Sequence, residues 1–513
     1  MTHILAVDIG SSFLKCALYT ADLRLLAHVV RGFELRVDGP CVEADPEDWW
    51  RAMREAVPAL LADAGVARDA VSALVFCAQM QSVVLVDRAL NPVRRSIGFL
   101  DTRATAVFAE QMQRGWLKVE GVNAWKLAAS AWSTNIAPGS PKDTIWKIRW
   151  LEEHEPRTLA RAYRWLDVKD YLVARCAGRA VTTPDSAHLT CLYDFAGEGS
   201  AWNVALCRRY GIDPGLLPEV VPGNRGVGGL LPEAALELGL APGTTVVPGG
   251  GDISCVMLGT GAIAEGDTHV YLGTSAWVGQ CTRRRKLDIS NYMASLRTAL
   301  PNDHLYLGEL ETAGLCLQWA AKLLGGPGAV IDDFSGLEAE AHRSPVGAKG
   351  LLFSPWLHGS RSPNEDPFAR AGFFNLGLVH ARSDMIRAVF EGVALHLGWI
   401  LQALETKMPA PGSLRFVGGG ANSALWAQCL ADVTGRPVAV VEDPQLCGAR
   451  GAALLAVSAT QPASDIRLLA ARIQAGRPIQ PVPANVGLYR ERLVLLKRVY
   501  AANRPLFRSL PRA

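Results

Sequence analysis

An apolar run, a short glycine-serine turn and a second apolar run occur together twice in this sequence. The first copy, residues 6–16, reads AVDIGSSFLKC, and the second, residues 269–279, reads HVYLGTSAWVG. Apolar residues on both sides of a tight turn predict a β-hairpin. Two such hairpins, each near the start of one half of the chain, indicate a duplicated fold with both hairpins facing one cleft. Coincidence between two ordinary hairpins explains the match equally well.

Helical and strand-like segments alternate along the chain, which favours an α/β architecture. Residues 46–62 have an amphipathic helical pattern, and residues 71–77 form a β-rich run after them. A length of 513 residues allows two or three domains. The cluster Pro248-Gly249-Gly250-Gly251 is typical of a hinge as well as of a loop. We therefore expect two domains, residues 1–248 and 249–513.

The composition excludes several classes of protein. The chain has 52 basic and 49 acidic side chains, a net charge of +3, too even for a nucleic-acid partner. No window approaches the roughly 18 apolar residues of a membrane helix, so no membrane partner is expected. The 11 cysteines contain no C-x-x-C pair, which argues against a disulfide framework or a zinc ribbon. We expect a reducing, cytoplasmic location.

The first hairpin carries groups that suit phosphate. Small residues in a tight turn expose backbone N–H groups, and the Ser11 and Ser12 hydroxyls add further donors. Asp8 precedes the turn and is a candidate Mg²⁺ ligand, while Lys15 adds a positive charge on the returning strand. Taken alone, this hairpin is better explained as a routine turn with an exposed aspartate.

Two further glycine runs follow apolar segments. Gly249–Gly251 lead directly into Asp252 at the predicted start of a helix. That aspartate is either a simple N-cap or a catalytic base that accepts a proton from a substrate hydroxyl. Gly418–Gly420 end another strand, in a pattern that allows a nucleotide to lie on the backbone. The sequence has neither a G-x-G-x-x-G nor a P-loop motif at these places.

In this order, these segments resemble the FGGY family of carbohydrate kinases, and its xylulokinase-like members in particular. The matching strings are DIGSSFLK, PGGGD, YLGTS, PWLHGSRSPNEDPFARAGFF and VGGGANSALWAQCLADVTGRPV. The resemblance runs from residue 4 to about residue 457. It implies an actin-like ATPase fold of two RNase-H-like domains with a cleft between them. The N-terminal domain would bind the sugar and hold the first phosphate hairpin, and the C-terminal domain would bind ATP and carry the catalytic aspartate.

The resemblance also implies roles for individual residues. It makes Asp252 the general base and Asp8 the residue that organises Mg²⁺. The residues expected to bind ATP and its phosphates are Gly10, Ser11, Ser12, Lys15, Gly273, Thr274, Gly419, Gly420 and Asn422. The residues expected to contact the sugar are Gln79, Met80, Gln81, Phe99, Asp101, Asp252 and Ile253.

The segments expected to bind the sugar depart from the xylulokinase pattern. Gln81 stands where those kinases usually carry histidine, Ile253 where Asn or Gln often follows the catalytic aspartate, and Phe99 where tryptophan is usual. Glutamine can hydrogen-bond a hydroxyl, but an isoleucine side chain cannot. A lost polar contact changes hydroxyl preference strongly, so the identity of the sugar stays open.

We expect an enzyme that uses ATP and Mg²⁺ to phosphorylate a hydroxyl of a small sugar, a ketopentose or a related polyol. A kinase of another polyol or tetritol is the alternative within the class. An actin- or chaperone-type ATPase without a sugar acceptor is the alternative from another class. A homodimer is left open.

Overall fold

The structure is a computed structural model that describes residues 2–119, 121–195, 202–325 and 334–510. Its strands are β1 (His3–Ile9), β2 (Phe13–Thr20), β3 (Leu25–Gly32), β4 (Leu35–Asp38), β5 (Cys41–Ala44), β6 (Val71–Ala78), β7 (Val84–Val86), β8 (Ser96–Ile97), β9 (Lys118–Val119), β10 (Val122–Asn123), β11 (Arg164–Leu166), β12 (Val181–Thr182), β13 (Glu219–Val220), β14 (Gly228–Gly229), β15 (Thr245–Gly251), β16 (Thr268–Leu272), β17 (Ala276–Thr282), β18 (Leu287–Asp288), β19 (Met293–Arg297), β20 (His304–Leu310), β21 (Leu352–Ser354), β22 (Gly372–Phe374), β23 (Leu414–Val417) and β24 (Val438–Val440).

The helices are α1 (Pro46–Ala64), α2 (Thr105–Met112), α3 (Ala124–Thr134), α4 (Thr144–His154), α5 (Pro156–Arg161), α6 (Val168–Ala177), α7 (Pro184–Leu189), α8 (Val204–Tyr210), α9 (Pro232–Leu238), α10 (Asp252–Gly259), α11 (Gly314–Leu324), α12 (Phe334–Ala341), α13 (Arg382–Leu404), α14 (Ala424–Thr434), α15 (Cys447–Thr460), α16 (Ile466–Ala470) and α17 (Pro483–Ser509). In the part of the chain that the structure describes, no helix has both the length and the apolar character needed to cross a membrane.

Two compact units make up the structure. The first consists of Met1–Gly261, Leu296–Leu305 and Leu446–Arg472. The second consists of Ala262–Ser295, Tyr306–Gln445 and Ile473–Ala513.

A six-stranded sheet in the order β14–β15–β6–β1–β2–β3 forms the centre of the first unit. The predicted hairpin is present, because β1 and β2 are antiparallel and pair Asp8 with Lys15. Strand β6 runs parallel to β1, and β15 runs parallel to β6. Residues Ile4–Val7 are fully buried, as expected for a strand in the middle of a sheet that is covered on both faces.

Helix α1 covers part of this sheet and confirms the helix predicted for residues 46–62. The Asp45 side chain caps its first turn by accepting a hydrogen bond from the Glu47 N–H. Gly65, in the left-handed conformation, ends it. The helix buries Trp49 and Trp50 in the core of the unit.

The second unit repeats the central arrangement. Its seven-stranded sheet has the order β18–β19–β20–β17–β16–β23–β24. The second predicted hairpin is β16 and β17, which are antiparallel, and β23 and β24 extend the sheet in parallel from β16. In both units, therefore, two parallel strands extend the sheet from the first strand of the hairpin. A further strand lies beside the second strand of the hairpin. The duplicated topology favours common ancestry of the two halves over coincidence.

The predicted boundary between residues 248 and 249 does not coincide with the division of the structure. It falls inside β15, which pairs with β6 in the first unit. Asp252 also lies in this first unit, not in a C-terminal one. A Cβ atom on Gly249 would lie 1.8 Å from the Phe76 carbonyl oxygen. The glycines at this place allow close packing of buried strands, whereas their sequence pattern was interpreted as a hinge.

Candidate active site

Three neighbouring strands of the first unit place two candidate catalytic segments side by side. In the register of the sheet, Asp8 of β1 pairs with Cys77 of β6, and Cys77 pairs with Gly250 of β15. Burial raises the pKa of the Cys77 thiol, and the charges of Asp8 and Asp252 raise it further. Both carboxylates therefore lie close to this thiol, near the carboxyl ends of three parallel strands.

The carboxylate of Asp8 is closely surrounded by Lys15 and Gly448. The Lys15 ammonium lies 3.7 Å from Asp8 Oδ2, and the Asp8 side chain is only 13% exposed. Gly448, near the start of α15, packs against it so closely that a Cβ atom would lie 2.8 Å from Asp8 Oδ2. The turn after β1 is closed by a hydrogen bond from the Gly10 N–H to the Phe13 carbonyl. Ser11 and Ser12 in this turn are partly exposed.

Asp252 is the first residue of α10, and Gly251 is the N-cap. The simple N-cap interpretation of Asp252 is therefore incorrect, because a cap residue precedes the first helical residue. Asp252 Oδ1 accepts a hydrogen bond from the Ile253 N–H at 2.9 Å. Ile253, the next residue, is partly exposed.

Helix α10 crosses α15 at two glycines, and this crossing fixes the helix that begins with Asp252. A Cβ atom on Gly259 would lie 1.9 Å from the Cys447 carbonyl oxygen, and one on Gly451 would lie 1.8 Å from the Cys255 carbonyl oxygen. Neither position has room for a side chain. Backbone therefore packs directly on backbone, and α10 has little freedom to move relative to α15.

Asp185 supports the same segment, although it was not predicted as a site residue from the sequence. It is 1% exposed, and its Oδ2 accepts a hydrogen bond from the Gly251 N–H at 2.8 Å. Lys169, also 1% exposed, forms an ion pair with Asp170. The Coulombic fields of Asp170 and Asp185 favour the protonated Lys169, so its pKa is raised although burial opposes this. A buried charge network thus lies beneath the glycines that lead into Asp252.

The segment predicted to bind the sugar, Gln79–Gln81, adjoins this site. The Gln79 N–H donates to the Ile9 carbonyl at 2.8 Å, next to the turn Gly10–Ser12. Met80 packs against Gly251, where a Cβ atom would lie 2.2 Å from the Met80 sulfur. Gln81 has a φ of 64°, the left-handed conformation. The structure thus brings the 79–81 segment and the residue before Asp252 into contact.

Asp101, also predicted to contact the sugar, is completely enclosed. Its side chain is 0% exposed. Its Oδ2 accepts a hydrogen bond from the Val42 N–H at 2.6 Å and another from Arg103 Nη2 at 2.8 Å. Phe99, two residues earlier, is partly exposed. In this structure Asp101 holds its loop in place, and Phe99, unlike Asp101, is accessible to a ligand.

A small cavity lies behind Gln81, within the first unit. Its volume is about 20 Å³, and its lining includes Ser82, Thr144, Ser186 and the carboxylate-bearing Asp167. The hydroxyl oxygens of Ser82, Thr144 and Ser186 have no hydrogen-bond partner. Burial raises the pKa of Asp167 to about 7, and the nearby Asp170 raises it as well. A cavity of this size has room for about one water molecule.

In the second unit, the two segments predicted to bind nucleotide lie next to each other. A Cβ atom on Gly418 would lie 2.4 Å from the Leu272 carbonyl oxygen, and one on Gly420 would lie 2.3 Å from the Leu272 side chain. Leu272 ends β16 and directly precedes Gly273. The predicted residues Gly419 and Asn422, which lie in the same turn as Gly420, and Thr274 are exposed.

The turn at Gly273 and Thr274 is braced by the start of α11. The Gly273 carbonyl accepts a hydrogen bond from the Gly314 N–H, and the Thr274 carbonyl accepts one from the Ala313 N–H, both at 2.9 Å. Gly314 has no room for a side chain, since a Cβ atom would lie 2.5 Å from the Gly273 carbonyl oxygen. Gly314 was not predicted as a site residue, because it is an isolated glycine outside any glycine-rich run.

The residues fit a magnesium ion that is bound mainly through phosphate. Among the described residues, no three His, Cys, Asp or Glu side chains gather into a metal-binding group. Mg²⁺ is commonly held by one or two carboxylates together with the phosphates of a substrate and water. The single, oriented carboxylate of Asp8 meets that requirement beside a turn with backbone N–H donors.

Comparisons with known proteins give a family match along most of the chain. Residues 3–259 match the N-terminal domain, and residues 269–460 the C-terminal domain, of the FGGY family of carbohydrate kinases. A xylulose kinase of Staphylococcus xylosus is 26% identical over 506 residues, which cover 98% of this chain and 100% of the relative. A gluconokinase of Bacillus subtilis is 26% identical over 468 residues, which cover 90% and 88% respectively.

A solved structure supports the fold. The crystal structure of a xylulose kinase from Rhodospirillum rubrum matches this chain with a TM-score of 0.83 and 26% identity, covering 99% of this chain and 100% of that one. The predicted α/β, actin-like ATPase fold with two domains is therefore confirmed.

Proposed function

Because this chain belongs to the FGGY family of carbohydrate kinases, we propose that it transfers the γ-phosphoryl group of ATP to a hydroxyl of a xylulose-like ketopentose or a related polyol. The observation that supports this proposal most directly is the position of Asp252 in the structure. This carboxylate begins a helix whose position is fixed by the glycine crossing, and the segment before it contacts Met80.

Asp252 acts as the general base. An aspartate is a weak base, with a reference pKa of about 3.9. Its main contribution is to orient the sugar hydroxyl toward the γ-phosphorus and to accept the hydroxyl proton late in the transfer. The rigid α10–α15 crossing supports this role, because a carboxylate that orients a hydroxyl must itself have a fixed position.

The two glycine hairpins bind the phosphates. In the turn Gly10–Ser12 the backbone N–H groups of Ser11 and Ser12, assisted by Lys15, donate to phosphate oxygens, and the Gly273–Thr274 turn serves the same purpose. Gly419, Gly420 and Asn422 contact the adenosine. Asp8 would hold Mg²⁺, which would supply positive charge to the β- and γ-phosphates.

The sugar is recognised by Gln79, Met80, Gln81, Phe99 and Ile253. Gln81 supplies an amide that can donate to or accept from a hydroxyl. Asp101 is assigned a different role from the one that the sequence predicted: it holds the Phe99 segment through Val42 and Arg103 rather than contacting the sugar. Gln79 and Met80 are buried, whereas Gln81, Phe99, Ile253 and Asp252 are partly exposed, so the accessible side chains are two polar and two apolar ones.

We also propose that the enzyme works in the cytoplasm. The 11 cysteines include no C-x-x-C pair, and 10 of them are buried. In a reducing compartment disulfide bonds are rare, and cysteine serves there as a small buried side chain. Size-exclusion chromatography with light scattering tests the homodimer that the sequence left open.

ADP release in the presence of Mg-ATP and a panel of acceptors tests the proposed activity. The panel contains D-xylulose, other ketoses, aldoses, polyols, tetritols and gluconate, the last because of the gluconokinase relative. Strong stimulation by a ketopentose or polyol supports the proposal. Stimulation by gluconate alone assigns a sugar acid instead, and turnover that ignores every acceptor contradicts a sugar kinase.

Asp252→Asn tests the assigned base with the acceptor that works best in this panel. The variant should lose most of its turnover while it still binds ATP, because the amide cannot accept the proton. Asp63→Asn, an exposed aspartate on α1, is the matched control and should behave as the wild type does. Wild-type turnover in Asp252→Asn would remove this residue from the mechanism.

A further inference from the structure

Lys147 is a buried ammonium whose hydrogen-bond partners are backbone carbonyls. It lies on α4 and is 0% exposed. Its Nζ donates to the Gln81 carbonyl at 3.0 Å and to the Gly98 carbonyl at 2.8 Å. Burial lowers its pKa to about 8, because the charged form loses its hydration. Burying a charge costs free energy, and the hydrogen bonds from the Lys147 ammonium to the two carbonyls offset part of this cost.

The two carbonyls belong to the two segments that approach the proposed sugar site. Gln81 ends the 79–81 segment, and Gly98 directly precedes Phe99. The two segments also meet at a backbone bridge, in which Val83 and Ile97 exchange hydrogen bonds of 2.9 and 3.0 Å. Lys147 therefore links the two segments a second time. This link lies closer to Gln81 and Phe99, the residues proposed to contact the sugar, than the Val83–Ile97 bridge does.

Gln81 needs such a support because of its backbone conformation. A φ of 64° is strained for a residue with a side chain. The Gln81 N–H donates to Asp167 Oδ2 at 3.1 Å, while its carbonyl accepts from Lys147. Asp167 and Lys147 thus hold both backbone polar groups of Gln81, its N–H and its carbonyl. The side-chain amide of Gln81 lies 3.5 Å from Asp143 Oδ1, and a change in the backbone conformation of Gln81 would redirect this amide.

We propose that Lys147 is a positioning residue for sugar recognition, which sets the separation between the Gln81 and Phe99 segments and thereby the orientation of the Gln81 amide. The inference rests on the proposed function, because it presumes that these segments bind the acceptor. It adds a determinant of sugar affinity that lies behind the site and makes no contact with the sugar.

Lys147→Met tests this role, because methionine has a similar shape and cannot hydrogen-bond the two carbonyls. We expect kcat/KM for the best acceptor, D-xylulose if it is active, to fall about 10- to 100-fold, mainly through KM, with the KM for ATP within twofold of the wild type. The matched control is Leu151→Ala, which truncates a fully buried side chain one turn along the same helix that cannot hydrogen-bond either carbonyl. It should lower the melting temperature and leave the sugar KM unchanged.

Hydrogen-deuterium exchange provides a readout that does not depend on activity. Residues 79–82 and 97–101 should exchange faster in Lys147→Met than in Leu151→Ala at matched stability. Lys147→Gln, which retains an N–H donor, should show an intermediate effect and serves in place of the methionine variant if that variant does not fold. An unchanged sugar KM together with unchanged exchange in both segments would overturn the inference.

These outcomes separate the inference from the proposed function. If Asp252→Asn abolishes sugar-stimulated turnover and Lys147→Met has no effect on KM or exchange, the inference alone fails. If no acceptor stimulates ADP release in the wild type, the proposed function fails, and exchange in the two segments still decides whether Lys147 positions them.

Discussion

Asp185 accepts a hydrogen bond from the backbone N–H of Gly251, the residue immediately before Asp252. The distance is 2.8 Å, and the other carboxylate oxygen of Asp185 accepts the Ser186 N–H at 3.0 Å. The hydroxyl of Thr183 donates to that same oxygen. With so many partners and an exposure of 1%, Asp185 holds the peptide from which the proposed base extends.

Asp185→Asn should lower kcat about 10- to 100-fold, with a smaller change in the sugar KM. The amide keeps the shape but replaces a charged acceptor with a neutral one, and hydrogen bonds to charged groups contribute about 1.5–3 kcal/mol. Steady-state kinetics measures the effect. Asp213→Asn is the control, because the exposed Asp213 also accepts a glycine N–H, from Gly215 at 2.8 Å. Equal kcat values for the two variants would contradict a positioning role for Asp185.

Gly448→Ala should reduce activity without unfolding the protein. The new methyl group would lie 2.8 Å from Asp8 Oδ2 and must displace that carboxylate. Alanine also favours the helix by about 1 kcal/mol relative to glycine, so the melting temperature should hardly change. The readout is the Mg²⁺ concentration at half-maximal rate, which should rise. Gly412→Ala, where no atom lies within 4 Å, should leave it unchanged, and the idea fails if Gly448→Ala does too.

Gly451→Ala should destabilise the first unit. A Cβ atom there would lie 1.8 Å from the Cys255 carbonyl oxygen, which forces α15 away from α10. We expect a loss of about 1–3 kcal/mol or more in the free energy of unfolding, measured by urea denaturation. Gly487→Ala lies on α17 in open space and should be neutral or slightly stabilising. A stable Gly451→Ala variant would mean that the helix crossing is looser than described.

Lys147 should make stability rise with pH above about pH 8. Its pKa is about 8 in the folded protein and 10.5 when unperturbed. Between these values the unfolded chain binds a proton that the folded protein has released, so the free energy of unfolding increases with pH by up to about 1.4 kcal/mol per unit. Below pH 8 both states are protonated and the contribution is constant.

Urea denaturation of the wild type and Lys147→Met at pH 7, 8, 9 and 10 measures this contribution as a difference. The wild type should gain stability relative to the variant across this range. A difference that does not change with pH would show that the Lys147 ammonium is better hydrated than its burial indicates.

The cavity behind Gln81 should contain one ordered water molecule. Three unpartnered hydroxyls and a carboxylate offer such a molecule the two to four partners that buried waters usually have. A crystal structure at high resolution is the direct measurement. Ser186→Ala should lower the occupancy of this water, and a dry cavity in the wild type would contradict the prediction.

The elements that local patterns specify were predictable from the sequence. The hairpins at Asp8–Lys15 and at Leu272–Ala276 follow from apolar runs around a tight turn, and both are present. The helix that begins at Asp252 was also located correctly. These features depend on residues within a few positions of one another, so one sequence is enough to indicate them.

Support from distant parts of the chain was not predictable in this way. Asp185 is 66 residues from Gly251, and Lys147 is 66 residues from Gln81. Isolated aspartates and lysines are usually exposed, so nothing in their local sequence marks these two as buried. The Gly249–Gly251 run was compatible with a hinge or a loop, because close packing and flexibility both select glycine. Asp101 was expected to contact the sugar, and its hydrogen bond to Val42, 59 residues away, was not visible in the local sequence.

The return of Leu446–Arg472 to the first unit has a consequence for biosynthesis. Helix α15 packs on α10 and on strands β1, β6 and β15, all of which leave the ribosome long before it does. Domains synthesised first usually fold first. A nascent chain that ends after β15 already contains all six strands of the first sheet, but the face that α15 covers is still exposed. The native packing of this unit needs residues up to Arg472 in a chain of 513 residues. A fragment cut after the first 261 residues would expose the same face, so we expect the first unit to fold fully only when Leu446–Arg472 is present.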